Sequence, residues 1–315
     1  MHCGFCDRVD ICAKEKKFPT VFILPGEEQN IQEGTGWKII DMTDYRLIAF
    51  DMDGTLLRSD KTISDGCIDA VHEAVAEGKS VAVCSGRPLA EIRPYADELR
   101  EVRYFVCECG ALIYDRIEKK ILVRHTLDPN VAGPVLDAIA REDIMPQALM
   151  AGESYVNPDD IVNMAHFHMA VYRTLYTSVA RREKDVPGLI RAHCVEIEKI
   201  NLYHASIDGR ERTKKRLQGV GVDLTYAEAS SLELSRPGIT KGSGLAELAE
   251  RLGIPIQAVI AVGDADNDVP MIRAAGLGLC MKNGTDAAKT AAAAILPDND
   301  HDGCAFAIRH CLLRI

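Results

Sequence analysis

Arg46-Leu47-Ile48-Ala49-Phe50-Asp51-Met52-Asp53-Gly54-Thr55-Leu56-Leu57 is the stretch whose reading decides the fold. A short apolar run rich in Ile, Leu and Phe that stops at carboxylates and a glycine reads as a buried strand of a parallel sheet, with chemistry at its carboxyl end. Spaced by two on extended backbone, Asp51 and Asp53 start on the same face and can share one metal ion or one substrate. Two carboxylates that close do not both stay ionised without a cation. A hard divalent ion with oxygen ligands answers that need, and Mg²⁺ suits a site that also handles phosphate.

The same pattern recurs along the chain. Ser64-Asp65 can cap a helix whose apolar positions Ile68, Val71 and Val75 fall at helical spacing, closed by Gly78. Residues 80–85 read as a second strand ending in Ser85, and Gly86-Arg87-Pro88 turns from it into a helix. A glycine turn at a helix N-terminus is an anion site. A third strand over 102–108 leads to Cys109-Gly110-Ala111. Thr240 can cap an amphipathic helix over 242–252, which puts Lys241 in its first turn, where the helix dipole disfavours a cation. That local cost points to function. Residues 258–264 form another buried strand, and Asp264, Asp266, Asn267 and Asp268 follow closely enough to exceed an ordinary turn. The remainder, with strands near 276–281 and 292–296, an Asn283-Gly284 turn and a closing helix from residue 302, completes the alternation. Strand and helix in alternation predict an α/β fold, a doubly wound parallel-sheet (Rossmann-like) core with ligands at the carboxyl ends of its strands.

Between Gly110 and Ser235 lies more chain than one crossover needs. Alternation over 195–202 predicts a half-exposed strand, and 132–141 and 210–217 have helical character, so the insert is an α+β domain. The expected division is an N-terminal extension at 1–41, a core at 42–114 and 232–315, and a cap at 115–231. His166, His168, His193 and His204 in the insert read as solvated or hydrogen-bonded rather than as metal ligands.

Asp51-Met52-Asp53-Gly54-Thr55-Leu56-Leu57 resembles the first motif of the haloacid dehalogenase superfamily. Ser85-Gly86, Lys241 and Gly263-Asp264-Ala265-Asp266-Asn267-Asp268 resemble the second, third and fourth, in order. An insert placed after the third strand resembles the family's C2 cap in its larger B form, and the whole is most similar to Cof-type phosphatases. The resemblance implies that Asp51 is the nucleophile and Asp53 the general acid/base. It also implies Mg²⁺ bound by Asp51, the Asp53 backbone carbonyl and Asp264. Lys241, Ser85, Asn267 and the amides of Met52 and Gly86 would hold the phosphoryl oxygens, and Asp268 would orient the site. Cys109 stands where many relatives carry Asn, and no catalytic role is assigned to it. The implied substrates are small phosphorylated metabolites such as sugar phosphates. A phosphomannomutase-like transfer and a non-catalytic phosphate-binding sensor are the competing readings. Intact Asp51, Asp53, Lys241 and Asp264 count against the sensor.

A net charge of -10 argues against sequence-independent binding to nucleic acid or to an anionic membrane surface, both of which need a basic face. No apolar stretch approaches a membrane span and the N-terminus does not read as a signal peptide, so a cytoplasmic protein is expected. Several of the 11 cysteines, among them Cys84, Cys107 and Cys280, sit in apolar runs where a buried free thiol is the usual outcome. Cys3, Cys6 and Cys12 with His2 lack the second paired knuckle of a structural zinc site and read as an unliganded tail. Nothing in the sequence sets an oligomeric state.

Overall fold

A computed structural model describes residues 43–227 and 229–315. The extension at 1–41, with Cys3, Cys6 and Cys12, lies outside the described residues. The strands run in order β1 Leu47–Phe50, β2 Ser80–Cys84, β3 Tyr104–Cys107, β4 Leu112–Asp115, β5 Lys120–Arg124, β6 Ile144–Met150 and β7 Glu153–Val156. They continue with β8 Arg181–Arg182, β9 Lys199–His204, β10 Asp223–Thr225, β11 Ser231–Ser235, β12 Val259–Gly263, β13 Leu277–Met281 and β14 Ala294–Leu296. Two sheets result, the core in the order β14-β13-β12-β1-β2-β3-β4-β5 and the cap in the order β10-β11-β9-β6-β7-β8.

β1 is central to the core because both its faces are apolar. Leu47 lies opposite Val259 on one side and Ser80 on the other, both pairings parallel. Ile48 and Phe50 pack with Val81, Val83, Ile260, Val262 and the helix Asp65–Ala76. Leu47 and Ala49 face the other layer, with Ala82, Cys84, Leu245 and Leu248 of the helix Lys241–Arg251. Each large side chain so buried contributes about 1.5–3 kcal/mol. The fold is therefore a doubly wound α/β core carrying an inserted α+β cap.

Sequence reading missed one edge of the core and displaced both borders of the cap. β3-β4 and β4-β5 pair antiparallel, so the parallel sheet ends in an antiparallel hairpin. Ile113 and Val123 pack into the core, which carries the core sheet past residue 114 to Arg124. At the return, β11 pairs with β9 and β10, and Leu232 and Leu234 pack with Ile200 and Leu202 of the cap. The cap sheet thus ends at Ser235 rather than at 231. The strand expected over 195–202 begins only at Lys199 and is buried at all six positions. Ile200 and Leu202 meet the cap helices, while Asn201 and Tyr203 face the cavity beneath, so neither face is left to solvent. No helix among the described residues is long and apolar enough to cross a membrane.

Candidate active site

The carboxyl ends of β1 and β12 and the start of the helix Lys241–Arg251 meet at one point. Asp51, directly after β1 and 4% exposed, accepts at Oδ1 from Lys241 Nζ at 2.5 Å. Lys241 Nζ also donates to Asp268 Oδ1 at 2.6 Å. The other Asp268 oxygen accepts from the amides of Asp264 and Ala265, both at 2.9 Å, so both oxygens of Asp268 are engaged within the protein. Lys241 is placed by a reciprocal cap in which Thr240 Oγ1 accepts from Ser243 N and Ser243 Oγ accepts from Thr240 N.

Asp51, Asp264 and Asp268 each bring a carboxylate oxygen within 4.8 Å of the others. Burial raises Asp51 well above the carboxylate range, Asp268 adds to the rise, and Lys241 opposes it. Burial also lifts Asp264 to about 6, although Thr55 Oγ1 donates to its Oδ1 at 2.8 Å. Burial would lower Lys241, but Asp268 and Asp51 outweigh that and hold it well above its ordinary value. Crowded, buried carboxylates with oxygen-only donors fit a hard divalent cation such as Mg²⁺. Gly54, with φ +80°, belongs to the same geometry: a Cβ there would stand 2.4 Å from Asp264 Oδ2.

Asp53 does not join the carboxylate cluster. Its carboxylate is gripped by Arg87, with Nε to Oδ2 and Nη2 to Oδ1 both at 2.7 Å, and by Lys61 Nζ at 2.9 Å. Burial would raise it, yet Arg87 and Lys61 together hold it at about 2. Neither cation was singled out from the sequence. Arg87 had a visible signal in its place directly after Ser85-Gly86, whereas Lys61 had none.

After β2, Ser85 is 1% exposed and its Oγ accepts from the Arg87 amide at 3.2 Å. Asn267 Nδ2 lies 3.9 Å from where a Cβ on Gly86 would stand, and its Oδ1 is buried without a partner. The Met52 side chain is fully buried in the core, so only its backbone is left to face a ligand. A cap residue that sequence reading missed, Lys199, donates to Gly86 O at 3.4 Å and pairs with Glu233 at 2.7 Å. Lys199 Nζ also donates to Cys109 Sγ at 3.6 Å.

A cavity of about 480 Å³ opens over this floor. Asp51, Asp53, Ser85, Gly86, Asn267 and Lys241 line it from the core, and Gln147, Tyr176, Asn201, Tyr203 and Glu233 line it from the cap. Glu91, also in its wall, is pushed by burial to about 7 against the pull of Arg87 and Gln147. The cap histidines do not converge. His166 meets Asp143, His168 meets Ala205 O, His193 meets Glu196, and buried His204 meets Thr213. Among the described residues Cys84, Cys107 and Cys280 are buried free thiols.

The family model for haloacid dehalogenase-like hydrolases matches residues 48–308. The chain is 28% identical to the 5-amino-6-(5-phospho-D-ribitylamino)uracil phosphatase YcsE of Bacillus subtilis, over 86% of this chain and 97% of the relative. It is 28% identical to the pyridoxal phosphate phosphatase YbhA of Escherichia coli, over 82% and 96%. A haloacid dehalogenase-like hydrolase from Bacteroides thetaiotaomicron superposes with TM-score 0.72 at 29% identity, covering 84% of this chain and 99% of that one. A haloacid dehalogenase-like hydrolase from B. subtilis superposes with TM-score 0.74 at 26% identity, covering 85% and 100%. With the family model spanning most of the chain and the four motifs gathered on one cavity, the chain belongs to the haloacid dehalogenase-like hydrolases, as a phosphatase of the Cof type.

Proposed function

We propose that the chain is a Mg²⁺-dependent phosphomonoester hydrolase acting on small phosphorylated metabolites through an aspartyl-phosphate intermediate. The observation that carries this is Asp51, a buried carboxylate on the cavity wall whose Oδ1 is fixed by Lys241. Asp51, Asp264 and the Asp53 carbonyl would hold Mg²⁺, which supplies charge neutralisation between the carboxylates and a phosphoryl group. Asp51 attacks phosphorus, the bond to the leaving oxygen breaks, and Asp53 gives that oxygen a proton. Asp53 then takes a proton from water as the water attacks phosphorus, releasing phosphate and restoring Asp51. Ser85, Asn267, Lys241 and the amides of Met52 and Gly86 hold the phosphoryl oxygens meanwhile.

Paired with Arg87 and Lys61, Asp53 rests as a base. It becomes an acid once that grip loosens and it takes up a proton from the monoanion of the incoming phosphomonoester, and the phosphoryl group beside Ser85-Gly86 offers Arg87 a second anion. The relatives named as phosphatases of a phosphoribitylamino-uracil and of pyridoxal phosphate support small phosphorylated substrates. The test is turnover of 4-nitrophenyl phosphate by protein stripped with EDTA. Activity is expected to vanish and to return with Mg²⁺; undiminished turnover after stripping overturns the reading.

A further inference from the structure

The cap contributes a chain of side-chain amides whose orientation is set from the core. Gln147 Nε2 donates to Glu91 Oε1 at 2.9 Å and to Ser154 Oγ at 2.7 Å. An ionised Glu91 can only accept, which makes the Gln147 nitrogen face it and leaves Gln147 Oε1 pointing the other way as an acceptor. There it accepts from Asn201 Nδ2 at 2.8 Å, Tyr203 OH at 2.9 Å and Tyr176 OH at 3.2 Å. Asn201 therefore turns its nitrogen towards Gln147 and its oxygen away from it. That oxygen is buried and has no hydrogen-bond partner, while Asn201 is only 5% exposed and lines the cavity.

The neighbours of Asn201 follow from strand register. Asn201 stands between Gln147 on β6 and Glu233 on β11, opposite both. With its nitrogen spent on Gln147, its oxygen is left without a donor, and the neighbour across the other strand, Glu233, is another cavity residue and another acceptor, one of whose oxygens is held by Lys199. An orphaned buried acceptor carries a desolvation penalty that a donor from a ligand removes. Gln147 is the polar residue of the otherwise apolar strand Ile144–Met150, and Asn201 is set between Ile200 and Leu202, which a packing role alone does not call for.

We propose that Asn201 is a specificity residue whose Oδ1 accepts a hydrogen bond from the leaving group, so that the preferred substrate is a phosphomonoester bearing a hydroxyl or N–H donor at that position. Glu91 and Gln147 are positioning residues that fix the amide's orientation. This rests on the hydrolase reading above, because the group recognised is the one released from phosphorus.

The test compares kcat/KM of the full chain and its Asn201→Leu variant on 4-nitrophenyl phosphate, whose leaving group has no donor, and on glycerol 1-phosphate, ribose 5-phosphate, glucose 6-phosphate and pyridoxal 5′-phosphate. On the best donor-bearing substrate the variant is expected to lose about ten- to a hundredfold, with the loss on 4-nitrophenyl phosphate smaller by about tenfold. Most of the difference should appear in KM. Equal losses on both kinds of substrate mean a structural role and overturn the proposal, as does no loss on either. A parent that prefers 4-nitrophenyl phosphate over every donor-bearing ester overturns it too. A parent inert on all five esters sinks the hydrolase reading itself, and the proposal with it. If Asn201→Leu does not fold, judged by its melting profile, Asn201→Ser carries the same comparison, being smaller and polar.

Discussion

Asp51 and Asp53 differ by two positions in the sequence and by everything in their surroundings. Asp51 is enclosed with Lys241, Asp264 and Asp268, and burial pushes it towards neutrality; Asp53 is clamped by two cations that keep it charged. Their amide variants should therefore fail in different ways. Asp53→Asn removes no side-chain oxygen from the carboxylate cluster, so Mg²⁺ affinity by titration calorimetry should stay near that of the parent. Its kcat on an alkyl phosphate should fall about a hundred- to ten-thousandfold, the usual reach of general acid/base catalysis. The fall should be smaller on 4-nitrophenyl phosphate, whose leaving group needs less help from an acid. Loss of Mg²⁺ affinity matching that of Asp51→Asn, or near-parental turnover of the alkyl ester, would show the pair to be wrongly assigned. The pair was legible as a motif. The Arg87 and Lys61 grip was not, because it joins residues whose proximity only the tertiary fold creates.

Elements were legible where a cap and an apolar period agree. The helix expected from Thr240 is found as Lys241–Arg251, and the one over 132–141 is found as Ala132–Arg141. What spacing did not reveal is how tightly the first of these is pressed home. A Cβ on Gly242 would stand 2.5 Å from Pro270 O, and one on Gly244 would stand 2.6 Å from Gly110 Cα. In an open helix, Gly→Ala gains about 1 kcal/mol. Gly242→Ala should instead lose about 1–3 kcal/mol, because the added methyl meets backbone that has no room to yield. Gly133, in the helix Ala132–Arg141, has nothing within 4 Å of its missing Cβ, so Gly133→Ala should gain about 0.4–1 kcal/mol. Urea unfolding of both variants checks the pair, and the same sign in both would contradict the packing described here. The alternation over 195–202 misled for a related reason: a strand covered by helices on one face and by the cavity on the other has no solvent side for its polar residues to mark.

At the scale of the whole molecule, the core half of the candidate site was readable because each of its groups is announced by its own neighbours, an apolar strand before Asp51, Ser85 and Asp264 and a capped helix at Lys241. The cap half was not, since Gln147, Asn201 and Glu233 become neighbours only through the register of three separate strands. The cap borders slipped for the same cause: β5, Lys120-Ile121-Leu122-Val123-Arg124, and β11, Ser231-Leu232-Glu233-Leu234-Ser235, are short strands whose sequences name no sheet, and only their partners assign one to each. Core and cap then close one cavity, lined by Asp51 from the core and by Gln147, Asn201 and Glu233 from the cap. The most direct test of this account is to quench the protein during turnover of ³²P-labelled substrate with Mg²⁺, denature it, and map the bound phosphate by mass spectrometry. The account predicts a hydroxylamine-labile phosphate on Asp51 that Asp51→Asn lacks; protein free of phosphate throughout turnover, or phosphate on any other residue, would contradict it.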